Sequence, residues 1–477
     1  MSLWEWDLCL KLIPKLHLKL DESARLPETI DEFSFARAAN HQLMLVAKSK
    51  NGARPQDSKP RVGEVYRSED SVPMQSAYGK GRISGLKRIR SVTNIQGVGG
   101  YSRTDSYELQ DISFDFSAGK EVLHTIDYVA NIPRSYIWLG NHEELLISTK
   151  RASYAGEPPI IFEVEEAKAS YKSSSIRIRV GGYDLVIGKY EASDEDAQSP
   201  GYILYQGNPD GETRKQIRYS LSFAFGSPLV FFGSASFCKE GRPTSLLSVS
   251  AQTVNGRAWD IVGMPPAPIT VDGTENVLDA GKVQRVAQGI KEIGELYGIN
   301  VLCWRLWYAE SAAYFMRPAY YGAFIEGIQK RYLEGNEEKI SHTIVDRNVY
   351  KPVRKRIERL LTKLALDSEA DGMFRSKLNN GNSAPQKVVS QRFYATLNLE
   401  LGRTELDAWN KRNDAAHGNE ISEAMLISFI RETKVLKVIL NRILLRLTAG
   451  SDEYIDYFTY GHPSRLLAIP IPDDSDT

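Results

Sequence analysis

Cysteine is scarce in this 477-residue sequence, and its three copies, Cys9, Cys238 and Cys303, lie far apart. Their number is odd, and their spacing fits neither a zinc ligand set nor a disulfide framework. Few and scattered cysteines are typical of proteins from a reducing compartment. This pattern predicts a cytoplasmic protein.

Long apolar runs are also missing from the sequence. No run approaches the ~18–20 residues that a helix needs to cross a bilayer. The first residues include Glu5 and Asp7, where a secretory signal would begin with basic residues. We therefore expect neither a signal peptide nor a membrane partner.

An excess of charge of either sign is absent as well. Lys and Arg together number 60, Asp and Glu together number 60, and the formal net charge is zero. Bulk charge therefore gives no sign of nucleic-acid binding, so any such site must be a local patch. The hydrophobic content of 42% is that of a packed globular protein. The length predicts two or three domains of roughly 150 residues each.

The character of the sequence changes near residue 275. Before that point, short runs in which apolar residues alternate with polar ones predict strands of a sandwich or barrel-like domain. These runs are 8–13, 16–20, 174–180, 183–187 and 218–225. Residues 49–90 break the pattern and predict a mobile loop. The loop ends in a basic cluster, which is either a solvated surface or an arm that contacts phosphates: Lys80, Arg82, Lys87, Arg88 and Arg90.

From about residue 279 onward, apolar residues recur every three or four positions and predict a helical bundle. The predicted helices are 282–297, 302–333 with a division at Pro318, 351–366, 387–401, 405–417 and 422–447, with a loop over 367–385. The fold class is therefore expected to be α+β. The expected domains are a β-rich region over 1–275, a helical domain over 276–450 and a C-terminal tail over 451–477.

One segment of the helical half carries candidate chemistry. Arg412 and His417 form the pattern R-x-x-x-x-H, with Asn413 after the arginine and Gly418 after the histidine. An arginine five residues before a histidine is weak evidence alone. Its position adds weight, because Gly418 can end one helix and Ser422 can cap the next.

This segment resembles the HEPN superfamily, whose members carry R-[polar]-x-x-x-H in a helical bundle. The resemblance covers about residues 280–450. The β-rich N-terminal region is similar in architecture to the ApeA-like antiviral defence proteins. The resemblance implies a homodimeric endoribonuclease that cleaves RNA, tRNA included, without metal or another cofactor, as a toxin or abortive-infection effector. A phage-derived trigger acting on the N-terminal region would be its control.

The residue types fit this chemistry. A histidine can accept and donate protons near neutral pH, and a guanidinium can stabilise charge on phosphate oxygens through paired hydrogen bonds. We therefore expect Arg412, Asn413 and His417 to be catalytic. Lys411, Arg354 and Arg356 are expected to bind substrate. On one helix, five residues separate two side chains by roughly 140°, so Arg412 and His417 would have to converge from different faces.

Other interpretations stay open. His417 can be a helix-end histidine that only bonds backbone carbonyls, and Asn413 can be a polar surface residue. The basic face around Arg354 and Arg356 can be merely solvated. The aromatic residues between Trp304 and Phe324 fit a core or a dimer interface better than a base-stacking platform. A HEPN module that binds nucleic acid or protein without cleaving, and a ligand-binding β-domain with a helical dimerisation part, are the competing functions.

Overall fold

The computed structural model describes residues 7–21, 26–27, 30–38, 40–50, 71–96, 100–117, 121–154, 160–190, 199–251, 267–271, 277–297, 300–336, 340–364, 366–416 and 423–473. Side chains are described throughout these ranges except at 50, 95–96, 100–101, 140–154, 160–173, 300–305, 413–416 and 423–424. The described chain is α+β, as the sequence predicts, with a β-rich N-terminal part and a helical C-terminal part. It divides into two compact units, residues 1–291 and 292–477.

The described residues of the first unit form two antiparallel sheets. The strands are β1 (Lys19–Leu20), β2 (Glu32–Arg37), β3 (Leu43–Lys50), β4 (Val72–Ser76), β5 (Gly79–Ser84), β6 (Lys87–Gln96), β7 (Gly100–Leu109), β8 (Asp111–Phe116), β9 (Val122–Ala130), β10 (Gly140–Tyr154), β11 (Ile160–Val180), β12 (Tyr183–Lys189), β13 (Gly201–Gln206), β14 (Val230–Cys238) and β15 (Pro243–Val249). In the described residues, the larger sheet has the order β1-β4-β5-β8-β15-β14-β9-β13-β12-β11-β10, and the smaller has the order β2-β3-β7-β6.

One apolar core joins the two sheets of the first unit. Leu45 and Tyr107 come from the smaller sheet, and Phe114 and Ile126 come from the larger one. All four side chains are at most 3% exposed. This burial is the main stabilising term of the unit, because removing apolar surface from water drives the packing. The short helix α1 (Leu8–Leu12) contributes Leu8 and Cys9 to the same core.

Among the described residues, the helices that follow α1 are α2 (Gly211–Phe225), α3 (Ala280–Tyr297), α4 (Asn300–Ser311), α5 (Arg317–Glu334), α6 (Arg347–Lys363), α7 (Ser368–Asn379), α8 (Gln386–Thr396), α9 (Arg403–Ala416) and α10 (Glu423–Thr448). In the second unit, α10 packs on α5 and α9, and its last three turns are buried around Leu440, Ile443 and Leu444. Pro318 lies in the first turn of α5, so the predicted division of segment 302–333 is confirmed. Among the described helices, none combines the length and apolarity that a membrane span requires.

Two predicted strands are helical in the structure. Residues 8–12 form α1, and residues 218–225 form the second half of α2. In both segments nearly every position is apolar or buried, so the sequence does not separate a period of two from one of 3.6. The side chain of Asp210 accepts from the Thr213 backbone N–H at 2.9 Å and caps α2, which is the local signal that fixes a helix there.

Two predicted loops contain regular secondary structure. The predicted loop over 49–90 contains strands β4, β5 and β6, although residues 51–70 lie outside the described range. The predicted loop over 367–385 contains α7, which the side chain of Asp367 caps by accepting from the Ala370 N–H at 2.8 Å. The described part of the predicted C-terminal tail, residues 451–473, has regular structure of its own. It contains the hairpin β16 (Glu453–Ile455) and β17 (Ser464–Leu466), and it buries Tyr454 and Ile471 completely or nearly so.

Candidate functional site

The candidate motif begins in α9, whose first turn is well fixed. The side chain of Glu405 accepts from the Gly402 N–H at 2.8 Å, and the carboxylate of Asp473 accepts from the Thr404 N–H at 3.1 Å. Both contacts satisfy amide groups that a helix start leaves open. Arg412 therefore stands in the last described turn of a helix that is anchored at its other end. His417, Gly418 and Ser422 lie outside the described residues, and so does the side chain of Asn413.

Arg412 is buried and already has partners. The residue is 8% exposed, and its guanidinium carbon lies 3.6 Å from the centre of the Trp409 ring. The guanidinium donates to the Trp409 carbonyl and to the carboxylate of Glu326 on α5. The Arg412 side chain is thus held in one orientation by a flat aromatic surface and two acceptors.

The close approach of α5 and α9 depends on a glycine. A Cβ atom added to Gly322 would lie 2.7 Å from Cδ of Arg412, closer than carbon atoms can pack. Glu326 lies one helical turn after Gly322, so the two positions share a face of α5. Gly322 makes room for the stem of Arg412, and Glu326 receives its charged end.

Lys411 faces a different side of α9. Neighbouring residues on a helix are about 100° apart, and Lys411 turns toward α10 while Arg412 turns toward α5. The ammonium of Lys411 lies 3.4 Å from the Glu432 carboxylate. It lines an open cleft of about 700 Å³ between α9, α10 and the C-terminal segment. The cleft carries three basic residues, Arg403, Lys411 and Arg431, and three acidic ones, Asp407, Glu432 and Asp473.

The other predicted substrate-binding residues lie on α6, which packs against α7. Arg354 forms an ion pair with Glu358 at 2.8 Å, and Arg356 is exposed. The structure therefore distributes the predicted site over three surfaces. Arg412 lies against α5, Lys411 lies in the cleft, and Arg354 and Arg356 lie on the outside of α6.

The aromatic segment splits into core and surface. Trp307, Tyr321 and Phe324 are at most 4% exposed, whereas another set is exposed by 41–49%: Tyr308, Tyr314, Phe315 and Tyr320. We call this set the aromatic patch. Its residues Tyr314 and Phe315 belong to a single-turn helix, Tyr314–Met316, that packs against both α9 and α10. Exposed aromatic surface therefore adjoins the two helices that flank the candidate motif.

Sequence reasoning missed the acidic residues that organise this bundle. Glu310 accepts from Lys437 and from the Tyr321 hydroxyl in a mostly buried cluster. Burial alone would raise the pKa of Glu310, but the charge and hydrogen bond of Lys437 outweigh it and the pKa is lowered. Glu405 pairs with the fully buried Arg442 at 2.5 Å, and burial raises its pKa. The residues that pair in these clusters are distant in sequence, so no local sequence pattern predicts the pairs.

The first unit has its own buried polar cluster. Asp127, with no exposed surface, accepts from Arg214, Arg218 and the hydroxyl of Tyr205. The predicted basic cluster around Lys80 and Arg90 lies exposed on β5 and β6 rather than on a loop. Within the described part of the chain, no three His, Cys, Asp or Glu side chains are grouped as metal ligands would be.

Comparison with protein-family profiles, with curated proteins and with solved structures finds no match for this chain.

Proposed function

We propose that the second unit is a metal-independent endoribonuclease of the HEPN type. The observation that carries the proposal is Arg412, held rigidly in the last described turn of α9, five residues before His417 in a helical bundle. A guanidinium fixed by stacking loses little further freedom when it binds a phosphate, so its binding energy is available to stabilise the reaction's charge.

The proposed cleavage of RNA exchanges one phosphorus–oxygen bond for another. The ribose 2′-hydroxyl attacks the adjacent phosphorus, the bond to the 5′-oxygen of the next nucleotide breaks, and a cyclic phosphate and a 5′-hydroxyl result. His417 would take the hydroxyl proton or deliver a proton to the leaving oxygen. Arg412 would stabilise the charge on the phosphate oxygens, and Asn413 would orient the side chain of Arg412 or of His417. Lys411, Arg354 and Arg356 would hold the RNA backbone, tRNA being one candidate substrate.

The contact between Arg412 and Glu326 corresponds to a resting state in this scheme. The Glu326 side chain is 43% exposed, so its carboxylate can turn into water at small cost. A phosphate could then take the place of that carboxylate on the guanidinium. The exchange replaces one anion by another and leaves the stack on Trp409 intact.

A homodimer through the second unit belongs to the same proposal. The aromatic patch is the kind of surface that protein interfaces use, since aromatic residues combine large area with few rotatable bonds. It adjoins α9 and α10, so a two-fold partner seated there would bring a second copy of the motif close by. Light scattering of the whole chain should give the dimer mass. Phe315→Glu should give the monomer, and Leu466→Glu, at an equally exposed site on β17, should not.

A second function has one observation in its favour. Arg412 is 8% exposed and its guanidinium already binds two acceptors, as expected of a residue that holds α5 and α9 together. In that case the unit would be a HEPN-like module that binds nucleic acid or protein without cleaving it.

The proposal also includes control and a biological role. A phage-derived trigger would act on the first unit and control either activity, and the protein would serve in antiviral abortive infection.

The product ends separate the two functions. Purified whole chain should cleave RNA in the presence of EDTA and leave a 2′,3′-cyclic phosphate and a 5′-hydroxyl. Binding of RNA without new ends, under conditions in which a known metal-independent ribonuclease is active, would favour the non-cleaving module.

A further inference from the structure

The helix α6 has an exposed apolar face. Five side chains spaced by three or four residues, the last of them at the C-cap directly after the helix, are 37–65% exposed: Val349, Val353, Ile357, Leu360 and Leu364. At about 100° per residue they fall within roughly 80° of one another, so they form one continuous stripe. The neighbouring helix α7 adds Met373 and Phe374, which are 59% and 53% exposed. We call these seven residues the apolar stripe.

The rest of α6 is strongly basic. Its 17 residues include seven Lys or Arg and a single acidic residue, Glu358. Arg356 and Lys363 follow one edge of the stripe, and Arg347 and Arg354 lie toward the other. A helix with a narrow apolar face, low overall hydrophobicity and basic flanks is the form that lies flat in a membrane interface.

The α6–α7 pair is held in shape by its own contacts. The hydroxyl of Tyr350 donates to the Leu378 carbonyl at 2.5 Å, and Arg375 donates to the Thr362 hydroxyl at 3.3 Å. Leu361, on the inner side of α6, is buried. The apolar stripe is therefore presented by a fixed helical hairpin, and it needs no refolding to meet a partner.

Charge decides between the occupants that could cover the stripe. A second copy of the same hairpin would place basic edges against basic edges, which costs energy. RNA would pair with the basic residues but leave the apolar stripe in water. An anionic lipid surface satisfies both features, because headgroups surround both flanks of an interfacial helix while the acyl region receives its apolar side.

We propose that the α6–α7 hairpin binds anionic lipid surfaces through the apolar stripe and its basic edges. The protein would then lie on a membrane without crossing it. Binding would be reversible and sensitive to salt, since both the apolar area and the charge attraction of one hairpin are modest. Arg354 and Arg356, which the proposed function assigns to the RNA backbone, would contact lipid phosphates while the protein lies on a membrane.

Flotation of the whole chain with vesicles tests the proposal. The protein should float with vesicles of phosphatidylcholine mixed with phosphatidylglycerol and not with phosphatidylcholine alone. Val353→Glu combined with Leu360→Glu should abolish flotation. The matched control, Leu466→Glu with Ile469→Glu, changes two equally exposed apolar residues elsewhere and should float like the wild type.

A second variant tests the basic edges. Arg356→Gln combined with Lys363→Gln should weaken partitioning by about fivefold per removed charge, at an unchanged melting temperature. Wild-type protein that ignores anionic vesicles, or a stripe variant that floats normally, would overturn the proposal. Two further results would overturn it, both with flotation unchanged. One is a stripe variant whose mass by light scattering differs from that of the wild type, and the other is an edge variant with lower affinity for RNA. Those two results would assign the surface to a second copy or to RNA.

Discussion

In the proposed function, the guanidinium of Arg412 binds a phosphate at the position that the Glu326 carboxylate occupies in the structure, so the two anions compete for it. Both offer paired oxygens that match the planar fork of an arginine. The structure shows the carboxylate in place. Because the two residues are 86 positions apart, the sequence shows Arg412 as a free cation, whereas the folded chain gives it a competing anion.

The competition predicts a gain of function at Glu326. Glu326→Gln removes the negative charge and should raise RNA affinity and the cleavage rate by a few-fold. Glu326 is partly exposed but Arg412 is buried, so losing the charged partner should lower the unfolding free energy by about 1–3 kcal/mol. The measurements are cleavage kinetics and thermal melting.

Asp371→Asn is the control, because Asp371 is, like Glu326, a partly exposed carboxylate paired with an arginine, here Arg375 on α7. It should change neither affinity nor rate. A large loss of stability in Glu326→Gln with no gain in cleavage would mean that the pair is structural and would favour the non-cleaving module.

At the scale of single elements, the sequence predicts helices well where one apolar stripe repeats over several turns. Segments 282–297 and 422–447 match α3 and α10 to within about two residues. Prediction fails where the cue is a single capping residue, as at Asp210 and Asp367, or where strands pair across long gaps. Strand β5 pairs with β8, some 30 residues onward, so no local period reveals it.

The contact between α5 and α9 gives a prediction at this scale. Gly322→Ala should raise helix propensity but lower the overall stability of the protein, because its Cβ would collide with the Arg412 side chain and displace it. Cleavage should fall by tenfold or more. Gly372→Ala, in α7 with nothing within 4 Å of the added Cβ, should stabilise the protein by about 0.5–1 kcal/mol and leave cleavage unchanged. Equal cleavage by both variants would contradict the role of Arg412.

At the scale of the whole molecule, the change in sequence character near residue 275 precedes the division between the units by less than 20 residues. The division falls at Lys291, inside α3 (Ala280–Tyr297). Composition shows the shift from strands to helices. It cannot show that α3 begins in one unit and ends in the other, because that depends on tertiary contacts. Among these, the Gln284 and Gln288 side chains accept from backbone amides of Arg179 and Gly181 at 2.7 Å.

If the first unit restrains the proposed ribonuclease, removing that unit should release its activity. A fragment that begins at Asp279, and so keeps α3 whole, should be more toxic in cells than the complete chain, because it lacks the restraint. The same fragment carrying His417→Ala should be harmless. The contrary outcome is a fragment that cleaves RNA less than the whole chain does, with no change in when cleavage begins in the cell. In that case the first unit adds RNA affinity or stability rather than control.

The central claim, that His417 and Arg412 cleave RNA without metal, is tested most directly by one comparison of purified proteins in EDTA. Wild type, His417→Ala and His342→Ala are incubated with the same RNA, and the 5′-hydroxyl ends are counted. His342 is an exposed histidine of the same unit and serves as the control. We expect cleavage by wild type and His342→Ala, and none by His417→Ala at an unchanged melting temperature. Equal cleavage by all three proteins, or by none of them, would contradict the claim.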